Sequence, residues 1–377
     1  MSVDQERLEA TKSFEPVQEV LIFQGSPRGK GGRTADCLGW FLEGVESAGG
    51  RSETVYLHRH KINHCLGCYS CWIKTPGRCV HQDDMAGLLD KMKAARTMVL
   101  AQPVYVYSVP GLTKDFLDRS LPMVQPFMET DPQGRTNHPQ RWPGRRRYVI
   151  LSVCGFPEPA NFWPMRDMFR HTFRGSETAI VGELFRPNAE MLSRGELLGP
   201  VYSRVKEAFT RAGRELVEQG FVSTATEEEV QTPLLKDVET FRDLANAWWR
   251  TGIDYHQAKN RGRDLPQLDD YAMAQPGLVL TGMAAFMDPA AAGDLEAVIQ
   301  FELEEPRADF HLVIKEGKAR CLEGRAQEPT LTVAAPWPVW MAVTKGQIQG
   351  QEAFAGGQAK ASGELGLLMR FDELFKG

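Results

Sequence analysis

The stretch Val17-Gln18-Glu19-Val20-Leu21-Ile22-Phe23-Gln24-Gly25-Ser26-Pro27-Arg28-Gly29-Lys30-Gly31-Gly32-Arg33-Thr34 decides the fold. A short apolar run, Val17 to Phe23, meets a turn rich in glycine. A helical pattern follows, with Leu38, Phe41, Leu42 and Val45 on one face. Strand, glycine turn and helix in that order expose backbone N–H groups at the positive end of a helix dipole. Ser26, Arg28 and Thr34 add side-chain donors, so a phosphate monoester fits the loop; a plain glycine turn is the alternative. The spacing is neither the G-x-G-x-x-G of a dinucleotide fold nor the G-x4-G-K-[ST] of a P-loop.

Outward from this loop, strand-like and helix-like segments alternate. Ser52 to Leu57, Thr97 to Gln102, Tyr148 to Val153 and Thr178 to Phe185 read as further strands. Helices are expected over Met85 to Met92, behind an acidic Asp83-Asp84 cap, over Leu112 to Leu121, and from about Leu197 to Glu218. Five such alternations predict an α/β fold, a doubly wound five-stranded parallel sheet, with ligand loops at the carboxyl ends of the strands.

The character changes twice more. Thr224 to Gln275 is charged and helix-compatible, with Trp248-Trp249 its most apolar spot, and suits a helical connector or an oligomer contact. From Leu278 onward, Ile299, Phe301 and Leu303 alternate with Gln300, Glu302 and Glu304. Phe310, Leu312 and Ile314 alternate likewise before a Glu316-Gly317 hairpin turn. The expected organisation is a tail (1–15), an α/β domain (16–222), a helical connector (223–276) and a separate α+β domain (277–377).

Composition narrows the class. The 377 residues are 42% apolar and 25% charged, with a net charge of −5, which gives no reason to expect nucleic acid. Met1 to Glu15 lacks the apolar core of a signal peptide, and no run approaches a membrane span. Seven cysteines, an odd number with four clustered, do not suit a secreted disulfide framework. A cytoplasmic protein without an integral membrane segment is expected. The triplet Arg145-Arg146-Arg147 reads as a solvated strand entry, with a phosphate contact as the alternative.

The four clustered cysteines are Cys65, Cys68, Cys71 and Cys79. Three share C-x2-C-x2-C spacing, and a Pro76-Gly77 turn precedes the fourth. Such thiols suit a four-thiolate iron–sulfur cluster. They also suit a zinc site or redox disulfide, or plain thiols with no inorganic cofactor. His58, His60 and His64 just upstream read as loop histidines.

Gly25-Ser26-Pro27-Arg28, the cysteine run with Asp83-Asp84-Met85, and Pro103-Val104-Tyr105 with Gly111, Lys114, Asp118 and Arg119 form an ordered set. Together with Cys154-Gly155-Phe156-Pro157, this set resembles the NADPH-dependent FMN reductase and iron–sulfur flavoprotein family, of flavodoxin-like fold, over about residues 17–220. The resemblance implies FMN, with Ser26, Arg28, Arg33 and Thr34 at its phosphate. Pro103, Val104, Tyr105 and Val106 would line its ring, with Cys154 and Gly155 on the far side. It also implies NAD(P)H as electron donor, a [4Fe-4S] cluster on the four cysteines, and a homo-oligomer.

The pattern from 278 to 377, with Ala353-Phe354-Ala355-Gly356-Gly357 and Ser362-Gly363, resembles the sterol-carrier-protein domain, which implies a hydrophobic ligand. The expected function is a flavin-dependent NAD(P)H oxidoreductase acting on a small-molecule electron acceptor, quinone- or lipid-like. The rivals are a lipid-binding carrier on a non-catalytic flavodoxin-like scaffold, and a thiol or metal redox sensor. No general acid or base is named.

Overall fold

Apolar runs long enough for a strand but without alternation are buried on both faces, which is the signature of a parallel sheet. The computed structural model describes residues 16–130, 134–173, 178–305 and 307–375; the expected tail lies outside them. Three such runs form neighbouring strands: β1 (Glu19–Gln24), β3 (Thr97–Pro103) and β4 (Arg146–Val153). With β2 (Arg51–Tyr56) and β5 (Thr178–Arg186) they make one parallel sheet in the order β2-β1-β3-β4-β5. This is the flavodoxin-like order, whose direction of winding reverses between β1 and β3.

Helices cover both faces. Leu21, Phe23, Met98 and Leu100 pack with Leu88 and Met92 of α2 (Met85–Ala94), Phe116 of α3 (Gly111–Asp118) and Phe169 of α4 (Trp163–Thr172). On the other side, α1 (Arg33–Ser47) packs against α5 (Pro200–Gln219). There the backbones touch. A Cβ on Gly44 would lie 1.8 Å from the Thr210 carbonyl oxygen, and one on Gly213 would lie 2.0 Å from that of Phe41.

The chain divides into two units, at Leu234 and Leu235. The stretch expected as a connector is shared between them. Helix α6 (Thr224–Val230) packs on α5 and β5 in the first unit. In the second, α7 (Val238–Asn260), whose first turn is capped by the Asp237 carboxylate accepting from the Thr240 amide at 2.8 Å, packs with α9 (Pro276–Phe286). Between them lies the short α8 (Leu268–Met273).

The second unit is built on a mixed sheet of β6 (Ala297–Glu304), β7 (Ala308–Lys315), β8 (Lys318–Glu323), β9 (Leu331–Pro336) and β10 (Lys360–Gly363). Its order is β8-β7-β6-β9-β10, with only β6 and β9 parallel. Ile299, Phe301, Leu303, Leu312 and Val333 form its core with Trp337 and Trp340 of α10 (Trp337–Thr344). Short helices Gly350–Ala355, Leu365–Met369 and Phe371–Leu374 complete it. Among the described residues no helix is long and apolar enough to cross a membrane.

Four local expectations need correcting. Arg146 and Arg147 are buried within β4 and are not a solvated entry, because the Arg146 guanidinium reaches the carbonyls of Trp142 and Gly144, both at 3.2 Å. Gln300 is buried among the apolar residues of β6. Its amide donates to the Phe301 and Phe310 carbonyls and accepts from the Ala326 amide, so the polar group is satisfied inside. The helix expected from Leu197 breaks at Gly199, where φ is +51°, and restarts at Pro200. Asp84 does not cap α2; its carboxylate accepts from the Lys61 amide at 2.7 Å, while Asp83 accepts from the Met85 amide at 3.3 Å.

Candidate functional site

The loop after β1 is held by its neighbours before any ligand is considered. Gln24, buried at the end of β1, donates from Nε2 to the Gly29 carbonyl at 2.7 Å and accepts the Ser26 amide on Oε1 at 3.2 Å. The Ser26 hydroxyl oxygen accepts from the Arg28 amide at 3.3 Å. Gly25 is pressed against α3: a Cβ there would lie 2.0 Å from the Thr113 hydroxyl oxygen. The His58 ring closes on Gly29 from β2's end. Helix α1 then begins behind Gly32 with no side chain capping it, which leaves its first N–H groups available to an anion.

Charged side chains surround this start. Arg28 is exposed and reaches Glu190 at 3.6 Å; Arg33 pairs with Asp36 at 2.7 Å and approaches Glu190 at 4.0 Å. Ser26 and Thr34 are buried. The loop's donor set, uncapped helix start and paired guanidiniums fit a phosphate monoester.

The next strand, β3, ends in a tight turn. Val104 continues the pairing with β4 through its amide to the Val153 carbonyl, 2.8 Å. Tyr105 and Ser108 then exchange backbone hydrogen bonds of 2.8 and 3.0 Å. Between them Val106 and Tyr107 adopt φ of +48° and +60°. A β-branched residue rarely takes that conformation, and strain of this kind collects at functional sites. Val106 is 92% exposed, held out beyond the sheet. At the end of β4, Cys154 is buried and its sulfur accepts from the Phe156 amide at 3.4 Å. Burial pushes the Cys154 thiol up.

The loops after β1, β3 and β4 therefore rise from the carboxyl ends of strands adjacent in the sheet, flanking its switch point. In this unit residues 19–130 match the NADPH-dependent FMN reductase family. In the second, residues 285–376 match the SCP-2 sterol transfer family. An iron-sulfur flavoprotein of Archaeoglobus fulgidus is 40% identical over 98 residues, which is 26% of this chain and 43% of that protein. One from Methanosarcina thermophila is 34% identical over 103 residues, 27% of this chain and 52% of that protein. The chain spans about half the length of the curated relatives it matches.

Among solved structures, an FMN-dependent NADH-azoreductase from Bacillus anthracis aligns with a TM-score of 0.42 at 15% identity, covering 54% of this chain and 100% of that one. A sterol carrier protein 2 like 2 from Aedes aegypti aligns with a TM-score of 0.20 at 19% identity, covering 23% and 80%.

In the FMN-reductase-like unit, the four cysteines share one loop without meeting at a point. Cys65 and Cys68 are exposed, Cys71 is buried in a one-turn helix (Ser70–Ile73), and Cys79 is partly covered. Burial pushes the Cys71 thiol up, and the nearby Cys79, Cys65 and Cys68 thiols add to the shift. Hydrogen bonds from Ser70 pull the Cys68 thiol down. Among the described residues no group of three or more His, Cys, Asp or Glu takes a metal-ligating arrangement. The donor set itself, four thiols on one loop, fits the ligand count of an iron–sulfur cluster. Cys37 is a core residue of α1, and Cys321 is half-buried in β8.

Sequence reading missed several neighbours of the site. Glu190, Thr113 and His58 lie far along the chain from the loop they touch, so no spacing rule reveals them. His64, expected as a loop histidine, hydrogen-bonds Asp115 through Nδ1 at 2.6 Å, and that carboxylate raises its pKa.

Proposed function

We propose that the chain is an FMN-dependent NAD(P)H oxidoreductase, cytoplasmic and homo-oligomeric, whose electron acceptor is lipophilic, quinone- or lipid-like. The observation that carries this reading is the uncapped start of α1 behind a loop pinned by Gln24, placed where the strand order reverses. Ser26, Arg28, Arg33 and Thr34 would hold the flavin phosphate; Pro103 to Val106 would line the ring, with Cys154 and Gly155 beyond it. When bound, FMN takes up a hydride and hands electrons on.

The chain's own contribution is to bind, orient and shield. The Tyr105–Ser108 turn fixes one wall of the crevice. Exposed apolar side chains of this unit, including Leu66, Tyr69, Tyr107, Phe156 and Trp163, supply a surface that a second copy of the chain would cover and dry. Cys65, Cys68, Cys71 and Cys79 would hold a [4Fe-4S] cluster, which supplies one-electron transfer. The match of the second unit to the SCP-2 sterol transfer family supports a hydrophobic ligand there, and hence the proposed acceptor class.

The test is a visible absorption spectrum of anaerobically purified protein, with iron and sulfide assayed on the same sample. A flavin band over a broad shoulder bleached by dithionite, with about four irons per chain, is the expected result. Flavin without iron removes the cluster and leaves the reductase. A colourless protein that gains nothing from added FMN overturns the enzyme and leaves a hydrophobic-ligand carrier.

A further inference from the structure

Helix α7 of the second unit is fixed by its inner side. Thr251, Tyr255 and Ala258 are buried there, and the Tyr255 hydroxyl donates to the Pro266 carbonyl at 3.0 Å. Opposite them, Ala245, Trp249, Ile253, His256 and Asn260 follow at steps of three and four residues, which places them on one face. Trp249 is 66% exposed and Ile253 54%. Beside Trp249 lies a recess of about 340 Å³, lined by Trp248, Gly252, Ile253, His256 and, from the start of α8, Leu268.

Glycine in the middle of a helix is costly beside alanine. Yet a Cβ on Gly252 would meet nothing within 4 Å, so no neighbour in the chain calls for glycine there. What glycine does allow at that point is the close approach of a second helix.

Two charges at the edge of the face say what approaches. Arg250 and Asp254 are both exposed, and among the described residues neither side chain has an ion-pair partner. Two copies of α7 laid parallel would set like charge on like. Laid antiparallel and crossing at Gly252, residues equally spaced before and after that glycine face one another. Arg250 then meets Asp254 of the second copy, and Asp254 meets its Arg250. Trp249 falls beside the other copy's recess, between Gly252 and His256. The face is its own complement in charge and in shape.

We propose that the outer face of α7 docks a second copy of this chain, the two helices antiparallel about a two-fold axis at Gly252. Such a contact is isologous and closes on itself. One helix wide and about 22 Å long from Ala245 to Asn260, it is below the standard interface size and forms reversibly. Asp254 at the rim disfavours an anionic lipid surface, which basic residues alone would mark. The inference does not rest on the flavin reading, nor on the second-copy contact suggested for the first unit.

The test follows association of the full chain by sedimentation velocity over a concentration series. It compares the parent with Trp249→Ala, Arg250→Glu, Asp254→Arg and the double variant Arg250→Glu with Asp254→Arg. All three positions are at the surface of α7, so the variants should fold. Each single variant should weaken association at least about tenfold, and the double variant should return to within about twofold of the parent. Benzoylphenylalanine in place of Ile253, in a mixture of light and heavy isotope-labelled chains, should capture an α7 peptide of the other label.

A parent that stays monomeric at every concentration overturns the inference. Assembly unchanged in the single variants also overturns it and leaves the first unit's contact alone. A double variant as weak as the single ones overturns the reciprocal pairing, as does capture of a peptide outside α7. Unchanged assembly, with binding to phosphatidylcholine vesicles lost in Trp249→Ala, gives the face to a lipid surface instead.

Discussion

Arg119 grips Asp83 with both prongs of its guanidinium, Nη1 to Oδ2 at 2.8 Å and Nη2 to Oδ1 at 2.9 Å, and both side chains are buried. The pair ties the end of α3 to the start of α2. Arg119 also donates to the Asn63 carbonyl at 2.7 Å and lies within hydrogen-bonding reach of the Cys79 thiol. The base of the cysteine loop is thus fastened by one buried ion pair.

That pair makes stability depend on acid. Burial pushes the Asp83 carboxyl up, but the Arg119 guanidinium and the Asn63 amide pull it down further, to about 2. A folded pKa below the ordinary carboxylate value gives stability that is complete above about pH 4 and lost as pH falls through 2. The contribution is about 2 kcal/mol. In Asp83→Asn, which leaves the Arg119 charge uncompensated, unfolding in urea should show a loss of about 3–5 kcal/mol at pH 7 and a flatter dependence between pH 4 and 2. An unchanged acid profile would show that Asp83 does not carry it.

Gly25→Ala would drive a methyl into Thr113. Overpacking of this kind costs about 1–3 kcal/mol and should displace the phosphate loop. FMN affinity, followed by flavin fluorescence quenching, should fall by about tenfold or more. Adding Thr113→Ala removes the hydroxyl oxygen nearest the new methyl and should restore part of both losses. A double variant as weak as Gly25→Ala alone would place the defect elsewhere.

Tyr107→Gly tests the strained turn. With φ at +60°, a side chain at 107 costs conformational energy that glycine does not, so thermal stability should hold or rise slightly. If the ring walls the crevice, FMN affinity should fall in the same variant. Stability and affinity moving together would contradict a binding role for the turn.

Iron should protect the exposed thiols. In chelated protein, Cys65 and Cys68 should alkylate quickly while buried Cys37 and Cys154 stay unmodified, as peptide mass spectrometry reads directly. After anaerobic loading with iron and sulfide, labelling of Cys65 and Cys68 should slow by about tenfold or more as the thiolates become ligands. Unchanged labelling of protein that has taken up iron would remove these cysteines from the cluster.

The first unit was legible because its information is local. Val17 to Phe23, Thr97 to Gln102 and Tyr148 to Val153 are apolar without alternation, and only strands covered on both faces tolerate that pattern. The glycine loop after β1 was legible for the same reason, since a glycine turn at a helix start is a contiguous feature. Helix α4 was not singled out, because Pro164 and the charges of Arg166, Asp167 and Arg170 obscure its apolar face, Met165 and Phe169. The buried state of Arg146, Arg147 and Gln300 was equally hidden, since a polar residue is tolerated inside only when particular carbonyls lie within reach.

By itself, then, the sequence determined the strand and helix alternation, the glycine loop, the four-thiol segment and the change to a second α+β pattern. These follow from backbone conformation and from apolar periodicity over short spans of chain. Only the tertiary structure decided that Glu190 lies between Arg28 and Arg33, that Thr113 leaves room for nothing but glycine at 25, and that Arg119 closes on Asp83. Those pairs are brought together by sheet order and helix packing, and charge and shape act through distances in space that no spacing along the chain records.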